Sequence, residues 1–502
     1  MLDLLFVPVA VLYLLLVAAL FLYGLNFFYL TYLALRNRGA EPIAPDPQAW
    51  PRVTVQLPVY NELYVAERLI EAAAALDYPS SLLEIQVLDD STDETVAVIE
   101  ETAKRLKARG VDVVHIHRSH RTGFKAGALA EGLAQARGEF LAIFDADFVP
   151  PPDFLRRTLP HFQDPKLAFV QTRWGHLNRD YSLLTFLQSL AIDAHFMVEQ
   201  FARNLAGYWF NFNGTAGVWR RSALEDAGGW TADTLTEDLD LSYRAFLRGW
   251  RALYLRQVDV PAELPANFSA YRRQQQRWAR GSLECARKLL PHIWRSQNPF
   301  RIKLQATLHL TGYGVHLLLF ALMLLYPLVV VLSQRVPSLI FALFGLAIVF
   351  NLTALAPSLL FAVAQKHLGR AWWRMAPAIL FITVLGAGMM LNTVRAASHI
   401  FFGRRGVFER TPKFGLLQQK QGWQERRYQM RLDPIVYSEL FFAAWSLGTI
   451  TLALHAGNWV IAAYASLFAV GLLFTSGVTI LQALAVRRSR GRSAPHSAVA
   501  GA

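Results

Sequence analysis

The sequence predicts a doubly wound α/β domain with a mostly parallel sheet, fused to an α-helical transmembrane region. Three observations predict it: long apolar runs near both ends, a polar stretch at 36–303, and an alternation of short strands with amphipathic helices inside that stretch. Of 502 residues, 54% are hydrophobic and 17% charged. This composition excludes a disordered chain and indicates contact with lipid.

Four short apolar segments predict buried strands, and three amphipathic patterns between them predict helices. The predicted strands cover 52–57, 84–88, 111–116 and 139–144, and the predicted helices cover 63–75, 92–109 and 123–137. Ligands of such sheets bind outside the carboxyl ends of the strands. The functional residues are therefore expected directly after each strand.

The first apolar run, 5–35, exceeds the ~20 residues that a spanning helix needs. No Lys or Arg precedes it, and it is longer than the apolar core of a signal peptide, so a membrane helix fits better than a cleaved leader. Further apolar runs cover 305–333, 337–365, 375–401, 435–455 and 459–486.

Basic residues predict which segments face the cytoplasm. The basic stretches 36–38, 366–374, 404–427 and 487–492 are all expected inside. Because both flanks of 375–401 would then be inside, that run is expected to lie at the interface, which leaves five spans and an external N-terminus. The predicted divisions are a membrane helix (1–35), a cytoplasmic catalytic domain (36–303), a hairpin with an interfacial helix (304–401), a cytoplasmic loop (402–434), a second hairpin (435–486) and a disordered basic tail (487–502).

The cysteine count and the net charge indicate the compartment in which the protein works and the partners that it can bind. The single cysteine, Cys285, cannot form an internal disulfide, which favours a reducing, cytosolic working face. A net charge of +13 is compatible with nucleic acid, anionic lipid or a phosphorylated substrate. Without a recognised nucleic-acid-binding module, nucleic acid is not expected as a partner.

Acidic pairs follow two of the predicted strands. Asp89 and Asp90 follow the second strand, and Asp145 and Asp147 follow the fourth. Alternate side chains at a strand end project the same way, so Asp145 and Asp147 can share a hard cation with a diphosphate. A polar turn is the alternative for this pair, and capping of the following helix is the alternative for Asp89 and Asp90.

Lys125 lies between two glycines, Gly123 and Gly127, where a helix is predicted to begin. This arrangement suits an anion at the positive end of the helix. The segment lacks the spacing of a P-loop, which argues against a nucleotide hydrolase. A solvated surface lysine is the alternative.

Two further groups suit transfer chemistry. Asp238 falls in the first turn of a predicted helix, whose dipole is expected to lower its pKa and keep it ionised as a general base, although capping alone could explain it. Gln274, Arg277 and Trp278 are spaced i, i+3 and i+4, on one helical face. They suit sugar hydroxyls, phosphate and sugar-ring stacking; an interfacial helix with an anchoring Trp is the alternative.

In order along the chain, these motifs resemble the signature of processive family 2 glycosyltransferases, which include cellulose, chitin and hyaluronan synthases. Segments 56–62, 86–93, 123–129 and 212–219 are especially similar to cellulose-synthase-like A and C proteins, which make mannan and glucan backbones. The resemblance covers about residues 50–290. It implies a GT-A catalytic domain fused to a membrane channel, with Mg²⁺ or Mn²⁺ as cofactor.

The resemblance also implies roles for individual residues. The nucleotide would be held by Tyr60, Glu62, Asp89 and Asp90, the diphosphate by Lys125 and Asp145, the metal by Asp145 and Asp147, and the donor–acceptor junction by Gln274, Arg277 and Trp278. Asp238 would be the base. The acceptor would contact Phe212, Asn213, Gly214 and Thr215, and a gating loop would contain Phe408, Thr411 and Lys413. Asn213 stands where the family commonly has Cys, and Arg410 where it has an apolar residue.

The expected function is that of an inverting hexosyltransferase at the plasma membrane. It would elongate a β-linked polysaccharide from UDP-glucose, or as second choice GDP-mannose, and translocate the product. Its partners would be the nucleotide-sugar, a glycan acceptor and the lipid bilayer; the sequence gives no indication of accessory subunits. The alternatives are a single transfer to a membrane lipid such as ceramide or diacylglycerol, and a non-enzymatic transporter or anionic-ligand receptor.

Overall fold

The computed structural model describes residues 2–37, 42, 49–334, 351–403, 406, 410–417, 422–424, 426–428 and 432–493. Within these residues, seven strands form one sheet. They are β1 (Val53–Val59), β2 (Leu83–Asp89), β3 (Val113–His117), β4 (Phe140–Ile143), β5 (Leu167–His176), β6 (Gly217–Arg220) and β7 (Arg251–Ala262).

The strand order is β3-β2-β1-β4-β6-β5-β7. Strands β1 to β4 are mutually parallel, β6 runs antiparallel to both β4 and β5, and β7 is parallel to β5. The predicted mostly parallel sheet is confirmed. The four predicted strands are β1 to β4, and helices pack on both faces of this half of the sheet.

The described helices up to residue 310 are α1 (Leu2–Arg36), α2 (Ala66–Ala74), α3 (Thr95–Ala108), α4 (Phe124–Gln135), α5 (Phe154–Thr158), α6 (Leu183–Ala194), α7 (Phe201–Leu205), α8 (Arg221–Asp226), α9 (Glu237–Leu247), α10 (Phe268–Arg295) and α11 (Phe300–Leu310). Of these, α2, α3 and α4 are the three helices predicted to alternate with the strands. One π-helical turn, His195–Gln200, joins α6 to α7.

A tight glycine turn begins α4. Gly123 has a φ of +72°, and a Cβ added at Gly127 would lie 2.0 Å from the carbonyl oxygen of Thr122. Only glycine fits both positions, because the first needs a left-handed backbone and the second leaves no space for a side chain. The turn places Lys125 in the first turn of the helix.

Beyond α11, the remaining helices are mostly apolar. They are α12 (Gly314–Ser333) and the segments Ala356–His367, Ala376–Gly388, Met390–Phe401, Ile435–His455 and Trp459–Ser493. The last helix is continuous through Ser493, which differs from the disordered tail predicted from residue 487.

Among the described residues, five helices are long and apolar enough to cross a membrane. They are Val7–Arg36, Gly314–Ser333, Trp372–Phe401, Ile435–His455 and Trp459–Arg488. The predicted run 337–365 lies partly outside the described residues. Trp372–Phe401 has the length of a crossing but is divided near Met389 into two helices. Its interfacial placement stays a prediction.

The long apolar helices are attached directly to the sheet domain. Leu30 and Ala34 near the end of α1 are fully buried in the core that lies on one face of the sheet. In the interior of the structure, Arg272 on α10 donates to both carboxylate oxygens of Glu439, at 2.8 and 3.2 Å, and both side chains are buried. This pair joins α10 to the apolar helix Ile435–His455.

Candidate active site

A cavity of about 170 Å³ lies at the carboxyl ends of β1, β2 and β4. Its wall is completed by α4, α9, α10 and the segment 410–413. Most of the predicted site residues line it: Tyr60, Glu62, Asp90, Lys125, Asp145, Asp147, Asn213, Gly214, Asp238, Gln274, Arg277, Trp278, Thr411 and Lys413. Residues that are distant in sequence therefore meet at one edge of the sheet.

Three predicted site residues are not brought to this cavity. The Asp89 carboxylate faces His115 and His117 instead. Phe212 is fully buried in the core, and the Thr215 hydroxyl accepts a hydrogen bond from the backbone of Asp145 at 2.9 Å. In this geometry, none of these three side chains faces the cavity where the nucleotide or the acceptor would bind. Phe408 lies outside the described residues.

Lys125 is one of several cations that line the cavity. Its Nζ lies 2.5 Å from Asp145 Oδ1 and 2.8 Å from the carbonyl oxygen of Gly214. Burial opposes charge on this amine, but the carboxylates of Asp145 and Glu237 outweigh it and raise the pKa of Lys125. The ammonium is therefore charged at neutral pH and suited to a phosphate.

Asp145 and Asp147 supply carboxylate oxygens on the same wall. Asp145 is bound to Lys125, and Asp147 Oδ2 accepts from Lys413 Nζ at 2.6 Å. Each carboxylate thus already stabilises a positive group. Oxygen ligands of this kind fit Mg²⁺ or Mn²⁺, so the residues present are compatible with the predicted metal.

Asp238 lies in the first turn of α9, as predicted, but its predicted ionisation behaviour is wrong. Burial, and then the charge of Glu237, raise the pKa of Asp238 to about 7, although Lys125 acts in the opposite direction. Desolvation in the enclosed site outweighs the helix dipole. A carboxylate with this pKa is better matched to proton transfer at neutral pH than a fully ionised one.

Because Gly214 has no side chain, the side chains of Asp238 and Lys125 can both lie close to its backbone. Its φ is +78°, and an added Cβ would lie 3.0 Å from Asp238 Oδ2 and 3.3 Å from Lys125 Nζ. A side chain at this position would therefore crowd both charged groups as well as strain the backbone.

A second cavity, of about 640 Å³, continues from the first into the space between the apolar helices. Asp238, Gln274 and Trp278 line both cavities, and the Trp278 ring lies 6.4 Å from the ring of Trp174. This placement favours a role at the site over the lipid-anchor alternative. Several further aromatic side chains line the second cavity: Tyr23, Phe27, Phe196, Tyr271, Tyr313, Tyr326, Phe361 and Tyr464.

The segment 410–417 closes one side of the first cavity, and Glu263 holds it there. The two carboxylate oxygens of Glu263 accept from the backbone N–H groups of Phe414 and Gly415 at 2.9 and 3.0 Å. Lys413 also donates to the Glu263 carbonyl, and Arg410 to the Tyr60 carbonyl at 3.0 Å. Glu263 was not predicted from the sequence as a site residue, although it directly follows β7, in the same position relative to its strand as the predicted site residues.

Glu62 and Asp90 occupy the part of the cavity where the nucleotide was predicted. Burial raises the pKa of Glu62 to about 8, despite the nearby Arg410. Asp90 forms two hydrogen bonds with the guanidinium of Arg118, at 2.6 and 2.7 Å. The protonated carboxyl of Glu62 and the ion pair of Asp90 with Arg118 together offer both hydrogen-bond donors and hydrogen-bond acceptors.

The fold and the strand-end carboxylates define a glycosyltransferase domain of the GT-A fold. Residues 51–281 match the family described as Glycosyltransferase like family 2, and this domain belongs to that family.

Curated relatives extend this assignment. The chain is 46% identical over 266 residues to Glucomannan 4-beta-mannosyltransferase 2 of Arabidopsis thaliana, a match covering 51% of this chain and 50% of the relative. It is 43% identical over 272 residues to Glucomannan 4-beta-mannosyltransferase 1 of Oryza sativa subsp. japonica, covering 52% of each. The chain thus spans about half the length of the curated relatives it matches.

A solved structure shows a similar fold. The mannosyltransferase PcManGT from Pyrobaculum calidifontis, in complex with GDP-Man and Mn²⁺, has a TM-score of 0.53 and 22% identity. The match covers 79% of this chain and 100% of that chain.

Proposed function

We propose that this protein is an inverting, membrane-bound mannosyltransferase that elongates a β-linked mannan or glucomannan from GDP-mannose. The observation that carries the proposal is the position of Asp238, which lines both the small polar cavity and the large aromatic one. A base at this junction faces a donor on one side and an acceptor on the other. The names of the relatives, and GDP-Man in PcManGT, support mannose over the glucose preferred from sequence.

The charged groups of the small cavity would bind the donor. Lys125 and Arg277 would neutralise the diphosphate, and Glu62 and Asp90 lie where the nucleotide would extend. Asp145 and Asp147 would hold Mg²⁺ or Mn²⁺, which when bound supplies stabilisation of the charge on the leaving diphosphate. Lys413 would compete with the metal for Asp147, so the segment 410–417 would open and close with donor exchange.

Asp238 would accept the proton of the attacking hydroxyl. The acceptor sugar would stack on Trp278 and present that hydroxyl to the anomeric carbon, on the face opposite to the diphosphate. Inversion follows, so an α-linked donor gives a β-glycoside. The aromatic cavity would take up the product, because aromatic rings bind sugar rings while allowing them to slide.

One specific observation supports a second candidate function. The large cavity is lined mainly by apolar and aromatic side chains between membrane helices, so it could also hold the acyl chains of a lipid acceptor. Such an enzyme would transfer one sugar to ceramide or diacylglycerol. Product length separates the two functions.

The test uses the full chain purified in detergent. It is incubated with radiolabelled GDP-mannose or UDP-glucose and Mn²⁺ or Mg²⁺, with Asp238→Asn as the matched control. We expect a polymer from GDP-mannose that a β-mannanase degrades. A single sugar on an extractable lipid would support the second candidate, and binding without turnover would favour a receptor or transporter.

We further propose that the catalytic domain faces the cytoplasm at the plasma membrane. Three exposed tryptophan or phenylalanine positions allow a test by single-cysteine labelling in a Cys285→Ser background: Trp373, Phe402 and Trp459. An impermeant reagent should label Trp459→Cys in intact cells, but neither Trp373→Cys nor Phe402→Cys. Labelling of Phe402→Cys alone among the latter two would show that 375–401 crosses the membrane.

A further inference from the structure

We propose that Asp89, His115 and His117 form a second metal site, distinct from the catalytic carboxylates, which binds one Zn²⁺ or a similar transition-metal ion. Their ligand atoms all lie within 4.8 Å of one another. Asp89 Oδ2 lies 2.9 Å from His115 Nε2 and 3.1 Å from His117 Nδ1. The proposal does not depend on the proposed transferase function.

The sheet builds this cluster from two neighbouring strands. Asp89 ends β2, and its register partner on the parallel strand β3 is His117. His115 is two residues earlier, so both imidazoles project to the same side of β3. The sheet hydrogen bonds fix the spacing of all three side chains before any ion is bound.

The ligand types select the ion. Two imidazole nitrogens and one carboxylate oxygen are typical of zinc sites in which water takes the fourth position, whereas Mg²⁺ prefers oxygen ligands alone. Zinc–ligand bonds of about 2.0–2.2 Å put tetrahedral ligand atoms roughly 3.3 Å apart. The distances from Asp89 Oδ2 to the two histidine nitrogens, 2.9 and 3.1 Å, would need to lengthen by only a few tenths of an ångström.

The surroundings suit a bound ion. The backbone N–H of Ser91 donates to Asp89 Oδ1 at 2.8 Å, which orients the carboxylate and leaves Oδ2 for the metal. The Asp89 side chain is fully buried, whereas 42% of the His117 side chain is exposed. The ion therefore has a route from solvent, and a water ligand has room.

The site would clamp the ends of β2 and β3. Asp90 and Arg118, the residues directly after β2 and β3, form the two-bond ion pair described above, and Asp90 lines the small cavity. A metal one residue away would hold this pair in place. Removing the metal should therefore lower the thermal stability of the domain.

The test measures metal binding rather than turnover. The full chain in detergent is stripped with a chelator, and Zn²⁺ is titrated by calorimetry, with metal content checked by mass spectrometry. His115→Gln and His117→Gln keep an amide donor for Asp89 but remove the metal ligand. His120→Gln, at an exposed histidine hydrogen-bonded to Ser119, is the matched control.

We expect one zinc ion per chain in the wild type, in His120→Gln and in Asp147→Asn, which separates this site from the catalytic one. His115→Gln and His117→Gln should bind zinc more than ~100-fold more weakly, because loss of outer-shell partners alone costs ~10- to 100-fold. Wild-type affinity in both variants, or absence of stoichiometric binding in the wild type, would overturn the proposal.

A second measurement does not depend on variants that fold. X-ray absorption of the zinc-loaded wild-type protein should show two imidazole nitrogens around the metal, together with oxygen ligands. A shell containing only oxygen would place the ion elsewhere and refute the assignment.

Discussion

Replacement of Asp238 by Asn removes a proton acceptor while preserving the size of the side chain. No side-chain cap of α9 depends on Asp238, so the fold should be retained. Donor binding should also be retained, because Lys125 and Asp145 form their own contacts at 2.5 Å. Loss of general-base assistance typically lowers the rate ~100- to 10,000-fold.

The pH profile provides a sharper test of the same residue. Burial and Glu237 place the pKa of Asp238 at about 7, so its basic form is gained as the pH rises through that value. We expect kcat/KM to rise nearly tenfold per pH unit below neutrality and to level off above it. At one unit below the pKa, roughly a tenth of the plateau rate should remain.

Glu237→Gln is the matched control. The negative charge of Glu237 raises the pKa of Asp238, so its removal should lower that pKa and move the acid limb to lower pH. The assay is polymer formation from radiolabelled GDP-mannose over a range of pH, beside GDP-mannose binding for each variant. If Asp238→Asn keeps more than about a tenth of wild-type turnover, or if its acid limb is unchanged, Asp238 is not the base.

Three further outcomes are expected. Asp145→Asn and Asp147→Asn should abolish Mn²⁺-dependent turnover in a folded, membrane-inserted protein, as loss of a ligand charge weakens metal binding; unchanged activity in both would make the pair a polar turn. Trp278→Ala should weaken polymer formation roughly thirtyfold, equivalent to the ~2 kcal/mol of an aromatic anchor, with a smaller change in the Kd for GDP-mannose; poor insertion with normal polymer would contradict this. Lys413→Met should lower the Mn²⁺ concentration for half-maximal activity by roughly tenfold, since a charged hydrogen bond at Asp147 no longer competes with the metal, whereas Lys413→Arg should resemble the wild type; a higher requirement in Lys413→Met would oppose this reasoning.

The half of the sheet formed by β1 to β4 was predictable because its strands are short segments rich in Val, Ile and Leu that alternate along the chain with helical patterns. The four-residue strand β6 was not predicted, since its antiparallel pairing with β4 and β5 depends on contacts distant in sequence. Local pattern alone does not contain that information.

Within the site, sequence located residues better than it oriented them. Asp89 and Asp90 are adjacent, and consecutive side chains at a strand end point to opposite sides. Only one of them could face the cavity, and it is Asp90. The predicted pKa shift of Asp238 was wrong for a related reason. The start of the helix is visible in the sequence, but the extent to which the side chain is buried depends on the assembled domain.

The ion pair between Arg272 and Glu439 has a mechanical consequence. Breaking a buried pair typically costs about 3–5 kcal/mol, so this pair couples α10 firmly to the apolar helix Ile435–His455. Trp278 stands on α10 less than two turns beyond Arg272, so its ring is tied through this pair to the helix Ile435–His455. In the proposed polymer synthesis, each advance would then come from the sugar chain stepping along the protein rather than from α10 carrying it outward.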